Sequence, residues 1–80
     1  MEPRGKLEKA FGDALREVRT ERGLSQEKLA LESKYHRTYI GMLERGLQNP
    51  TLRTIVRLAE ILEVPPSEIV SRFERKMSGN

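Results

Sequence analysis

Few side chains in this 80-residue chain are equipped for chemistry, and they are mostly of one kind. There is no cysteine, a single histidine (His36) and no pair of carboxylates in an evident pocket. Nucleophilic catalysis, general acid–base catalysis and thiolate metal binding therefore lack their parts, and no catalytic residue, metal site or cofactor is expected. What remains are cations and hydrogen-bond donors. The stretch Arg37 to Arg45 reads as a helix with Ile40 and Leu43 inward. At roughly 100° per residue, Thr38, Gly41, Met42 and Arg45 fall opposite them, with Arg37 at one edge. A glycine inside a helix costs about 1 kcal/mol relative to alanine. Either the fold tolerates Gly41, or its bare backbone is there to be approached closely. Gln26 stands at the start of another helix, where unpaired N–H groups and the helix dipole suit an oxygen anion.

These residues need a scaffold, and the spacing of apolar residues supplies a helical one. No period-2 alternation or Asn-Gly or Asp-Gly hairpin turn appears. Leu7, Phe11, Leu15 and Val18 predict a first helix that stops at Gly23, and Ser25 predicts the N-cap of a second, about two turns long, carrying Leu29 and Ala30. A third helix runs from about Arg37 to Gly46, with His36 at its N-cap, where Ser, Thr or Asp would serve better. After the turn Asn49-Pro50, Thr51 caps a fourth helix lined by Leu52, Ile55, Ala59 and Leu62. Pro66 opens a fifth, with Ile69, Val70 and Phe73, which frays from Met77 to Asn80. The expectation is one all-α, five-helix domain over residues 1–80, with its core at about 7–75 and polar ends at 1–6 and 76–80.

The net charge of +3 and pI near 9.6 lean towards an anionic partner. Acidic and basic residues are mixed throughout, so a positive surface must come from how the fold sorts them. No apolar run approaches the roughly 20 residues that span a bilayer, and Met1 to Lys9 lacks the apolar stretch of a signal peptide. A cytoplasmic protein without membrane association is expected.

The second and third helices have helix-turn-helix spacing, with Gln26 first and the small Ala30 fifth. Leu24-Ser25-Gln26-Glu27-Lys28-Leu29-Ala30, Arg37-Thr38-Tyr39-Ile40, Leu43-Glu44-Arg45-Gly46, Asn49-Pro50-Thr51-Leu52 and Leu58-Ala59-Glu60-Ile61-Leu62 together resemble the Cro/repressor (XRE) helix-turn-helix family. The resemblance covers roughly Phe11 to Val70 and is nearest to the controller proteins of restriction-modification systems. It implies a lambda-repressor-like fold and a sequence-specific transcriptional regulator that binds double-stranded DNA as a homodimer, on the nucleoid.

The resemblance also implies roles. Base reading falls to Arg37, Thr38 and Met42. An arginine can donate two bonds to guanine, a threonine offers a hydroxyl and a methyl, and a methionine can touch a thymine methyl. Phosphate contacts fall to Gln26, Tyr39, Arg45, Gln48, Asn49 and Thr51, each of which is otherwise an ordinary exposed polar residue. Arg19 and Glu44 match positions that pair the first helix with the end of the third, and Lys34 stands in the turn where the family places a glycine of positive φ. Gly41 and Met42 depart from the common pattern. Ile61, Val64, Ile69 and Phe73 form a second apolar patch on the last two helices, read as the dimer interface or as simple packing of helix on helix. The rival function is an antitoxin-type interaction module with an unknown protein partner, for which a long tail after Arg75 would speak.

Overall fold

The computed structural model describes residues 5–79, and among them five helices and no strands follow one another. They are α1 (Lys6–Glu21), α2 (Gln26–Ser33), α3 (Arg37–Glu44), α4 (Leu52–Leu62) and α5 (Pro66–Met77). The all-α architecture is the expected one. Of the polar ends expected at 1–6 and 76–80, residues 1–4 and 80 lie outside the described residues, while Lys6 already belongs to α1 and Lys76 and Met77 to α5. No helix among the described residues is long and apolar enough to cross a membrane.

Most boundaries have the local cause read from the chain. The Ser25 hydroxyl accepts from the Lys28 N–H at 3.0 Å, and that of Thr51 from the Thr54 N–H at 3.1 Å. These bonds satisfy amides that would otherwise be orphaned at the starts of α2 and α4. Pro66 opens α5. After α1 and α3 the chain turns at Gly23 and Gly46, with φ of 77° and 76°. Lys34, after α2, has φ of 64°, as expected, and Glu63, after α4, has φ of 60°, which no residue pattern signalled.

The core draws on every helix: Phe11, Ala14, Leu15 and Val18 from α1, Leu29 and Ala30 from α2, Ile40 and Leu43 from α3, Leu58, Ala59 and Leu62 from α4, and Ile69 from α5. Gly12 marks the crossing of α1 and α3. A Cβ there would fall 2.6 Å from the carbonyl oxygen of Glu44 and nearer still to that of Leu43, so the close approach depends on its absence.

Two expectations about α4 and α5 are corrected. Leu52 was assigned to the inward line of α4 yet is 82% exposed, and Val56 is 53% exposed. The buried row is Thr54, Leu58 and Leu62, four residues apart, and Leu52 falls on the far side of it. Thr54 can stand inward because its hydroxyl is satisfied by Tyr39 and Thr51. The patch of Ile61, Val64, Ile69 and Phe73 loses only Ile69 from the surface, and for that residue the reading as packing of helix on helix applies. Ile69 is 0% exposed inside the core, and Ile61, Val64 and Phe73 are partly buried against it.

Helix α5 is tied along α1 by an ionic strap. The Arg72 guanidinium donates to Glu21 at 2.6 and 2.8 Å, to Glu68 at 2.9 Å and to Glu17 at 3.2 Å, while the Lys76 ammonium donates to Glu17 at 2.8 Å. Bonds from Lys76 and Arg72 hold the Glu17 carboxyl below its ordinary value of 4.5, and bonds from Arg72 do the same for Glu21. The Arg72 pKa is raised in return by Glu21 and Glu68.

Three outcomes follow. Lys34→Gly should be neutral or stabilise by up to about 1 kcal/mol, because it removes a side chain from the left-handed region; a clear fall in melting temperature would overturn this. Gly12→Ala should destabilise by about 1–3 kcal/mol, since the atoms in its way are backbone, as read from urea denaturation midpoints. Because the Glu17 and Glu21 carboxyls titrate below their unfolded values, the strap's contribution is complete above about pH 5 and is lost as pH falls through the depressed values. Arg72→Ala should therefore lose less melting temperature than the parent between pH 7 and about pH 3.5, which thermal melts at both pH values would check.

Candidate nucleic-acid interface

Helix α3 is held with its apolar side inward, where Ile40 and Leu43 are fully buried. Its outer side carries Arg37, Thr38 and Arg45, all exposed, with Gly41 and Met42 partly exposed between them. The wheel drawn from the sequence thus matches the fold. The helix ends at Glu44, and the Arg45 side chain folds back so that its Nε donates to the Gly41 carbonyl at 3.2 Å. A Cβ on Gly41 would meet only the end of Arg45 and the Gln26 Oε1, both at 3.9 Å. That is ordinary contact, so no neighbour within the protein demands glycine there. His36 occupies the N-cap of α3 but makes no side-chain capping bond.

What fixes this helix is a carboxylate buried behind it. Glu44 is 4% exposed and takes two bonds from Arg19 on α1, Nε to Oε2 at 2.6 Å and Nη2 to Oε1 at 3.0 Å. The Arg19 Nη1 goes on to the Leu24 carbonyl at 2.8 Å. The expected pair is present, with a third member that the sequence reading missed. The Gln26 amide nitrogen donates to Glu44 Oε1 at 3.0 Å, across 18 residues of chain. Since an amide carries two N–H donors, Gln26 keeps one, together with its oxygen, for other partners.

A second anchor joins α3 to α4. The Tyr39 hydroxyl lies 3.2 Å from Thr54 Oγ1, which lies 3.0 Å from Thr51 Oγ1. Tyr39 and Thr51, both expected to reach phosphates, thus have internal partners first. The Tyr39 ring stands 5.3 Å from that of Tyr35, and Arg57 lies over Tyr35 at 5.7 Å while its Nε donates to the Ser33 carbonyl at 2.6 Å. The bonds from Tyr39 to Thr54 and from Arg57 to Ser33 join residues 15 and 24 apart, so no periodicity announced them. Gln48, partly exposed, and Asn49, exposed, stand on the connection between α3 and α4. The structure therefore brings Arg37, Thr38, Met42 and Arg45 to one helix face with Gln26 alongside. It places Gln48, Asn49 and Thr51 just beyond the end of that helix and takes Ile69 away from the surface.

The arrangement is an exposed helix end bearing a guanidinium and a hydroxyl, followed by open backbone and held rigidly from behind. The helix-turn-helix family model matches residues 15–69. The control protein C.BamHI of Bacillus amyloliquefaciens is 41% identical over 61 residues, 75% of this chain and 75% of that one. Among solved structures, the restriction-modification controller protein C.AhdI from Aeromonas hydrophila superposes with a TM-score of 0.74 at 48% identity, over 76% of this chain and 92% of that one. The restriction-modification controller protein C.Esp1396I, solved as a tetramer in complex with its natural 35 base-pair operator, gives a TM-score of 0.81 at 27% identity, over 91% and 96% of the two chains. This chain belongs to the helix-turn-helix family, with restriction-modification control proteins among its relatives.

Proposed function

We propose that this chain is a sequence-specific transcriptional regulator of the controller type, which binds an inverted-repeat operator as a homodimer by placing α3 in the major groove. The observation that carries the reading is the outer face of α3. Arg37 and Thr38 are exposed at its start, and the Gly41 backbone one turn on is open although nothing in the protein requires a glycine. A helix presented in this way lets base edges approach its first turns, which is how recognition helices are used.

Roles follow from chemistry. Arg37 has the fork of donors that matches guanine O6 and N7, Thr38 adds a hydroxyl and a methyl, and the Met42 thioether offers apolar contact to a thymine methyl. Gln26, Arg45, Gln48 and Asn49 supply phosphate contacts, as do Tyr39 and Thr51 with whatever bonding capacity their tie to Thr54 leaves. Gln26 presents its remaining donor with Glu44 behind it, so its contact is oriented before DNA arrives. A protein with this task works in the cytoplasm, on the nucleoid. The operator of C.Esp1396I, bound by a tetramer, is a guide to how copies can share DNA.

Selection of bound sequences from random DNA should return a two-fold repeat, with half-sites roughly 10 base pairs apart centre to centre. On that sequence Arg37→Ala should cost about 1–3 kcal/mol per half-site and much less on scrambled DNA, because a base contact supplies discrimination. Gln26→Ala should weaken both by similar factors, as a phosphate contact does. Titrations of each variant on both DNAs at one salt concentration separate the roles. Equal losses for Arg37→Ala would move specificity to Thr38 and Met42, and selection without a repeat would remove the dimeric reading.

A further inference from the structure

Two large apolar side chains stand out on α4: Leu52, 82% exposed, and Val56, 53% exposed, one turn apart. With Arg53, Arg57 and Glu60 they line a single shallow surface groove. Exposed apolar residues grouped in this way, rather than scattered, mark a contact surface. The charges beside them show what fits. Arg57 is turned inward, bonded to the Ser33 carbonyl and lying over Tyr35. Arg53 and Glu60 have no ion pair or side-chain hydrogen bond among the described residues. They lie two turns apart on the same side of the helix, with Val56 close to their midpoint.

We propose that this face of α4 meets the same face of a second copy of the chain, antiparallel about a two-fold axis passing near Val56, with Arg53 of each copy paired to Glu60 of the other. The inference rests on the homodimer reading above and assigns its surface. A two-fold axis across a helix sets the two copies antiparallel, which brings the basic half of one α4 against the acidic half of the other and opposes the helix dipoles favourably. A parallel pairing would set Arg53 against Arg53. The same surface on both copies is self-complementary, as an isologous contact requires. Leu52 and Val56 then leave water at the centre while the ion pairs close the edges. One helix pair is a small interface, so association is weak and varies with salt.

Charge reversal tests the assignment without disturbing the core, because both side chains are exposed. Sedimentation equilibrium at low salt should show Arg53→Glu and Glu60→Arg each weakening the dimer roughly tenfold or more, since like charges then face each other. The double variant Arg53→Glu/Glu60→Arg should recover to within a few-fold of the parent, while circular dichroism shows all three folded. A parent dimer with both single variants unaltered overturns this surface and leaves the homodimer reading standing. A double variant no tighter than the singles overturns the pairing. A parent that stays monomeric at every concentration, free and on operator DNA, overturns the homodimer and this surface together.

Discussion

A carboxylate as deeply buried as that of Glu44 persists only because its charge is met on both oxygens. Arg19 supplies two bonds and Gln26 a third, and Arg19 is itself anchored by the Leu24 carbonyl. A pair of this kind contributes little net stability, since desolvation offsets most of the attraction. Its value is geometric. One carboxylate receives donors from α1 and α2 while sitting at the end of α3, so three helices are set against one another by bonds with narrow directional limits. Removing Arg19 would leave the Glu44 charge bare in the interior.

The remaining order of the site depends on this. The Gly12 contact lets α1 press against the carbonyls of Leu43 and Glu44, the end of α3 that the ion pair also holds. The opposite flank is gripped by Tyr39 through Thr54 and Thr51, a chain of hydroxyls that fixes α4 as it caps it. The outward residues Arg37, Thr38 and Met42 are carried by a helix with few ways to move, so their positions relative to one another are set before any partner is met.

Much of this was legible in the chain because it is local. Caps at Ser25 and Thr51, the stops at Gly23 and Gly46 and the inward line of α3 each follow from a few neighbouring residues, and all are found. The positive φ of Lys34 followed from matching a family pattern. What escaped is non-local or depends on competition between residues. Thr54 took the buried place that Leu52 was given, because two hydroxyls elsewhere in the fold satisfy it. Ile69 stood open between dimer contact and helix packing, because nothing in α5 itself shows how closely that helix lies over the core. The phosphate contact expected of Gln26 gave no sign of its bond to Glu44, 18 residues away, which turns one of its donors inward. The ionic strap from Arg72 joins residues 51 and 55 apart, beyond any helical period.

That strap bears on how the chain reaches its shape. The bonds that fix the recognition unit join residues 15 to 25 apart, whereas Arg72 and Lys76 reach Glu17 and Glu21 across 51 to 59. Local contacts form fast and long closures slowly, because the ends must first be brought together at an entropic cost. A chain leaving the ribosome from its amino end can wind α1, α2 and α3 while α5 is still unmade, and the apolar surface that Ile69 later covers is bare for that interval. The docking of α5 on α1 thus has the longest loop to close among these ion pairs, and Ile69 completes the core only once α5 is in place.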